Sequence, residues 1–217
     1  MPAMKHQVVR RRQRGLSLVE LMVGITVGLF IVAAAAMMAS GQLGDNRRLM
    51  LELQIQQELR SAVDLMNRDL RRASGWDQAG LGVWRPNNLN VTANPNVPVT
   101  ESAGNSIQYS YIAGGNTTPS GFRLRDSALQ MLVGEAWQTI TDVQTVVVQD
   151  FTLDLREQQV SLADYCTNGC SFGTCPELTV RTVDIALVAS SPRDATIQRT
   201  LRSTLRMPND RVVGTCP

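Results

Sequence analysis

The chain has 217 residues, 43% of them hydrophobic and 18% charged, with 21 Lys+Arg against 19 Asp+Glu. That is enough for one domain with its own core. The single histidine is His6, so no Ser-His-Asp or Cys-His site can form in the body of the chain, and no P-loop, dinucleotide fingerprint or metalloprotease helix appears.

The N-terminus is the most specific part. Arg10-Arg11-Arg12-Gln13-Arg14-Gly15 runs into Leu16-Ser17-Leu18-Val19-Glu20, and an apolar run continues to Ala39. Leu16 to Ala39 is 24 residues with Glu20 as its only charge. At about 1.5 Å per residue such a helix spans roughly 36 Å, enough for a hydrocarbon core of about 30 Å. Lys5, Arg10, Arg11, Arg12 and Arg14 precede it, which places the N-terminus in the cytoplasm and exports everything after about residue 40. Two other readings fit these residues: a signal-peptidase site at the small residues from Ala33 to Gly41, and an uncut anchor. No cysteine lies nearby to support a lipoprotein anchor.

A carboxylate inside an apolar helix costs a few kcal/mol at the bilayer centre and less near the interface. Ser17 and Glu20 have the S-x-x-E spacing of a capping box. Glu20 also suits a partner charge: a cut after Gly15 gives Leu16 a free amine, and a neighbouring subunit's Glu20 can pair with it. Gly24 and Gly28 form a G-x-x-x-G that permits close helix–helix approach.

These residues resemble the class III signal of type IV pilins and type II secretion pseudopilins. The resemblance implies that prepilin peptidase cuts after Gly15, that Leu16 is then N-methylated, and that Glu20 helps to align the subunit during assembly. Leu16 stands where phenylalanine is common in that family. Many pilins also break the membrane half of the helix with a proline, where this chain has Met37.

Ser40-Gly41-Gln42-Leu43-Gly44-Asp45-Asn46 reads as a weak point or hinge, with Asp45 or Asn46 capping a second helical piece. From Asn46 to about Ala73 the pattern is helical. Leu59, Ala62, Val63, Met66, Leu70 and Ala73 share one face, and Arg60, Asp64, Arg68, Asp69, Arg71 and Arg72 lie largely off it. Gly75 is the expected stop. A helix from Leu16 to Ser74 has 59 residues, too long for a domain of this size to bury along its whole length. The first half therefore belongs in a membrane or a bundle of other subunits.

The remainder is β-rich. A short strand is expected near Leu81–Trp84 within a loop-rich stretch. Further strands are expected at Ser106–Ile112, Phe122–Arg125, Ala128–Val133, Ala136–Thr139 and Val143–Leu155, with a final hairpin of Leu178–Ala189 and Ile197–Met207. One antiparallel sheet across the helix gives an α+β fold. The expected organisation is a leader at 1–15, an assembly helix at 16–40, an amphipathic continuation at 41–75 and a globular domain at 76–217. Asp150 and Asp154 read as surface residues of one strand, and Arg47-Arg48 and Arg71-Arg72 as a solvated helix face.

Cys166, Cys170, Cys175 and Cys216 read as disulfide partners in an exported domain. Their spacing does not match paired zinc knuckles, so no metal or cofactor is expected. The open end of the final hairpin favours Cys216 with Cys170 or Cys175. Without the leader's five basic residues, 16 Lys+Arg face 19 Asp+Glu, a net −3 that argues against a nucleic-acid partner.

Within the superfamily, Gly15–Glu20, Met66-Asn67-Arg68-Asp69-Leu70-Arg71-Arg72-Ala73, Gly121-Phe122-Arg123-Leu124-Arg125-Asp126 and Ala136-Trp137-Gln138 resemble minor pilins of the PilW type and minor pseudopilin J. The resemblance implies a non-enzymatic minor pilin that primes type IV pilus assembly and supports twitching motility, or alternatively a minor pseudopilin of type II secretion. Its partners would be other minor and major pilins, prepilin peptidase and the inner-membrane assembly platform. It would cross the inner membrane once, with a periplasmic C-terminal domain that joins the pilus on assembly.

Overall fold

The structure, a computed structural model, describes residues 15, 17–82, 92, 94–96, 99–102, 104–170, 175–214 and 216. The leader before Gly15, Leu16, and Val83-Trp84 of the first expected strand lie outside the described residues. The chain divides into two units, 1–47 and 48–217.

One helix, α1, runs from Leu18 to Leu70. It is unbroken at Gly41 and Gly44, so the expected hinge and the second cap at Asp45-Asn46 are not present in the backbone. Two glycines cost about 2 kcal/mol together, and a ladder continuous on both sides offsets that.

Within the second unit, α1 buries the face that its periodicity marks: Leu59, Ala62, Val63, Met66 and Leu70, joined by Ile55. The helix stops at Leu70, earlier than expected. The next residues tighten into a turn, with N–H of Arg72 bonded to C=O of Asp69 at 2.9 Å and N–H of Ala73 to C=O of Leu70 at 3.1 Å. Ser74, not Gly75, takes the left-handed backbone, at φ 59°. Gly75 is required for a different reason: a Cβ there would lie 2.8 Å from the carbonyl of Arg72.

The strands form two antiparallel sheets rather than one. The first has the order β1 (Thr100–Ser102), β2 (Ser106–Ala113), β3 (Asn116–Arg125), β4 (Ala128–Val133), β5 (Ala136–Thr139). The β2–β3 and β3–β4 hairpins are closed by Gly114-Gly115 and by Asp126-Ser127, all at positive φ as a primed two-residue turn of this kind needs. The second sheet has the order β6 (Val147–Ser161), β7 (Glu177–Ser190), β8 (Gln198–Val213). Residue Asp142 causes the split. Its carboxylate accepts from N–H of Gln144 at 2.9 Å and its carbonyl from N–H of Val146 at 2.8 Å, turning the chain out of the first sheet. Backbone bonds from Val148 to Ser127 and from Leu153 to Gly104 then tie β6 to the first sheet. In the described part of the strand expected near Leu81–Trp84, Leu81 ends a single 3-10 turn over Ala79–Leu81.

One core joins the helix to both sheets: Ile55, Leu59, Met66 and Leu70 meet Ile107, Phe122 and Leu129 from the first sheet and Phe151, Ile185 and Leu187 from the second. Several side chains in it are fully buried, each stabilising the fold by about 1.5–3 kcal/mol.

The favoured cysteine pairing is corrected. Cys166 pairs with Cys216, and Cys170 with Cys175, at Cα–Cα separations of 5.4 and 5.3 Å. The reason is that β6 runs six residues past its expected end at Leu155, to Ser161. Ser161 then lies opposite Glu177, and Glu177 opposite Val213, so all three strands finish together. Cys166 therefore reaches the C-terminal end, and the 170–175 pair is left to close on itself.

Candidate functional site

In the first unit the site is a helix surface. N–H of Leu21 donates to the carbonyl of Ser17 at 3.1 Å, so Ser17 occupies the N-cap position. Glu20 follows in the first turn, where the positive end of the helix dipole favours a carboxylate. Every residue from Ser17 to Met50 is exposed, including Phe30 at 76% and Met37 at 75%. The helix contains a stretch long and apolar enough to cross a membrane, none of it buried within the chain.

Gly24 and Gly28 are helical, and a Cβ on either would meet nothing within 4 Å. Their own chain gives no reason for their small size. Four residues apart, they flatten one strip of the helix, which suits contact with a second helix. Two hydroxyls here are satisfied internally: Thr26 Oγ1 donates to carbonyls of Met22 and Val23 at 3.0 and 2.9 Å, and Ser40 Oγ to Met37 at 2.9 Å. Such back-bonding keeps a hydroxyl tolerable in an apolar surrounding.

In the second unit a buried polar cluster fixes the helix end. Asp69, expected off the apolar stripe, is 2% exposed. Tyr109 Oη and Ser120 Oγ each donate to its Oδ2 at 2.5 Å, and Arg72 pairs with Oδ1. The Arg72 guanidinium also lies 4.4 Å from the centre of the Tyr111 ring. Burial, then the Asp69 hydrogen bond and charge, push the Tyr109 phenol well above its usual pKa. Three asparagine amides cap the carbonyls after the helix: Asn209 on Ala73 at 2.8 Å, Asn94 on Ser74 at 2.8 Å and Asn96 on Gly75 at 3.3 Å. Arg181 donates to Ser74 Oγ at 3.0 Å and to the carbonyl of Asn209 at 2.6 Å. Burial lowers its pKa.

Within the first sheet, the Gly121–Asp126 and Ala136–Gln138 segments are brought together through β4. Arg123 lies 4.1 Å from the centre of the Trp137 ring and donates to Gln130 Oε1 at 2.8 Å. A Cβ at Gly121 would come within 2.5 Å of the carbonyl of Ile107, so only glycine lets β2 and β3 pair this closely. Sequence periodicity missed the asparagines and Arg181. The only local signal for Asp69 is that it falls three residues after the stripe residue Met66.

Among the described residues no group of three or more His, Cys, Asp or Glu is placed to hold a metal. Asp150 and Asp154 are exposed on β6, and Asp154 pairs with Arg156 at 2.8 Å. A polar hollow of about 250 Å³ lies among Glu157, Gln159, Glu177, Thr179, Arg181 and Arg211, where the three strands of the second sheet run on together.

A model of the prokaryotic N-terminal methylation motif matches residues 10–36, covering Gly15, Glu20, Gly24 and Gly28. A model of prepilin peptidase-dependent protein B matches residues 48–207, from the start of the second unit to the core residue Met207. Searches of the curated proteins and of the solved structures return no match. The two matches account for the apolar helix and for the domain that follows it, and the chain belongs to the family of prepilin peptidase-dependent protein B, a type IV pilin-like, membrane-anchored group.

Proposed function

We propose that this protein is a minor pilin of the PilW type that helps to prime type IV pilus assembly. Prepilin peptidase cuts it after Gly15, Leu16 becomes the methylated N-terminus, and Glu20 aligns it with its neighbours. It spans the inner membrane once, holds its C-terminal domain in the periplasm, and enters the pilus with other minor and major pilins through the assembly platform. It acts as a structural subunit without catalysis. The observation that carries this reading is the exposure of every residue from Ser17 to Met50. An apolar surface of this extent needs a lipid or protein cover.

Lys5 is the only lysine in the chain, so a cut after Gly15 leaves Leu16 with the sole aliphatic amine. Mass spectrometry of the mature protein should find a chain beginning at a methylated Leu16. A chain beginning near Gly41, or an uncut one, overturns the reading. Glu20→Ala should remove most pili while leaving the cut intact, and normal twitching in that variant counts against a pilus role. Loss of protein secretion with normal pili would assign the chain to a type II secretion pseudopilus instead.

A further inference from the structure

We infer that the outer edge of β8 receives an extended, acidic segment of a partner subunit, which adds a strand to the second sheet. β8 is the longest strand and lies at the edge of its sheet. Among the described residues no backbone hydrogen bond joins it to any segment but β7. An open edge of this length is a template for strand addition, and proteins usually blunt such edges with proline, bulges or charge.

The blunting here is confined to one end. Pro208 and the register shift opposite Thr179 and Arg181 disturb β8 only beyond Met207. From Gln198 to Met207 the pairing with β7 is unbroken and the strand holds no proline. That stretch carries Arg199, Arg202 and Arg206, all exposed, and no acid. Arg199 is engaged by Glu52 and Arg206 by Asp210. Arg202 has no ion pair among the described residues, and its neighbours on the same face are Thr200 and Thr204.

The charges decide the occupant. A second copy of the Gln198–Met207 stretch would set arginines against a stretch with no acid to meet them, and like charges across a pair are destabilising. The partner segment therefore carries Asp or Glu at two positions four residues apart, facing Arg202 and Arg206, with β-branched residues between them. The edge rejects self-pairing and selects an acidic strand by the same residues.

This inference rests on the chain being an assembly subunit, and the test separates the two. The full-length protein is purified in detergent, alone and co-expressed with the pilin-like subunits of its own cell, and amide hydrogen exchange is followed. In the complex, amides within Gln198–Arg206 that face away from β7 should slow by at least about tenfold. Arg202→Glu should abolish that slowing and Arg202→Lys should keep it. A complex in which those amides exchange as they do in the lone chain overturns the inference and leaves the subunit reading standing. So does a complex in which Arg202→Glu changes nothing. Failure to form any complex overturns the subunit reading and the inference together.

Discussion

The stretches Leu18–Met50 and Ile55–Leu70 belong to one helix and obey opposite rules. In the first, apolar residues point in all directions and all are exposed. In the second, one stripe is buried and the charged residues lie outside it, except Asp69. A helix that is apolar all round is suited to lipid or to other helices, and a striped one to its own domain. The difference teaches that a single element can belong to two folding problems, of which the chain itself solves only the second.

The sharpest way to break this comparison is a matched pair of truncations. Leu59→Ala removes a side chain that is 2% exposed and should cost about 2–5 kcal/mol. Leu29→Ala removes one that is 63% exposed and should leave the unfolding midpoint of the domain formed by the second unit unchanged. Equal losses in urea titrations of the two would show that the halves are not energetically distinct.

A second test asks how much of the domain's stability is covalent. Cys166→Ser opens a link spanning 50 residues and should cost about 4 kcal/mol, against about 2 kcal/mol for Cys170→Ser, whose link spans 5 residues. The reverse order in thermal melts would contradict the pairing. Next in size is Asp69→Ala, which leaves Tyr109 and Ser120 hydroxyls buried without their acceptor and should cost about 2–3 kcal/mol by chemical denaturation. An effect under about 0.5 kcal/mol, typical of an exposed helix charge, would mean that Asp69 is not the anchor of the helix end.

The smallest effect is set by pH. The Tyr109 phenol has its folded pKa raised above the usual 10.0, by burial first and Asp69 second. Its contribution is therefore complete below pH 10 and is lost as pH rises beyond it, by up to about 1.4 kcal/mol per pH unit. Tyr109→Phe should flatten that alkaline slope, and an unchanged slope would place its origin elsewhere.

Much of the fold was legible in the residues. The stripe from Leu59 to Ala73 and the strands Ala128–Val133 and Ala136–Thr139 stand where the pattern put them. Those features depend on neighbours close in sequence. What escaped depends on distant ones. Asp69 is buried because Tyr109 and Ser120, 40 and 51 residues away, supply donors. Asn209 caps a carbonyl 136 residues distant, and no period in the chain marks it. The disulfide pairing turned on where β6 ends, and strand ends are read poorly from propensity because Arg156 to Ser161 are mostly polar and exposed. The motif around Gly15 and Glu20 was legible for the opposite reason: it is contiguous, and the chain needs no fold to display it.

The link between Cys166 and Cys216 also has a mechanical meaning. A pull on an edge strand can unzip it from one end, breaking its bonds in turn, or shear it, loading all of them together. β8 ends at Val213, and Cys216 ties that end to the segment just after β6. Unzipping from the C-terminal end is therefore blocked covalently, and a load applied there is shared across β6, β7 and β8. At its other end, Gln198 leaves the turn that joins β8 to Ser190 of β7, beside the Arg199–Glu52 pair that holds it to the helix, so neither end of β8 is free to peel.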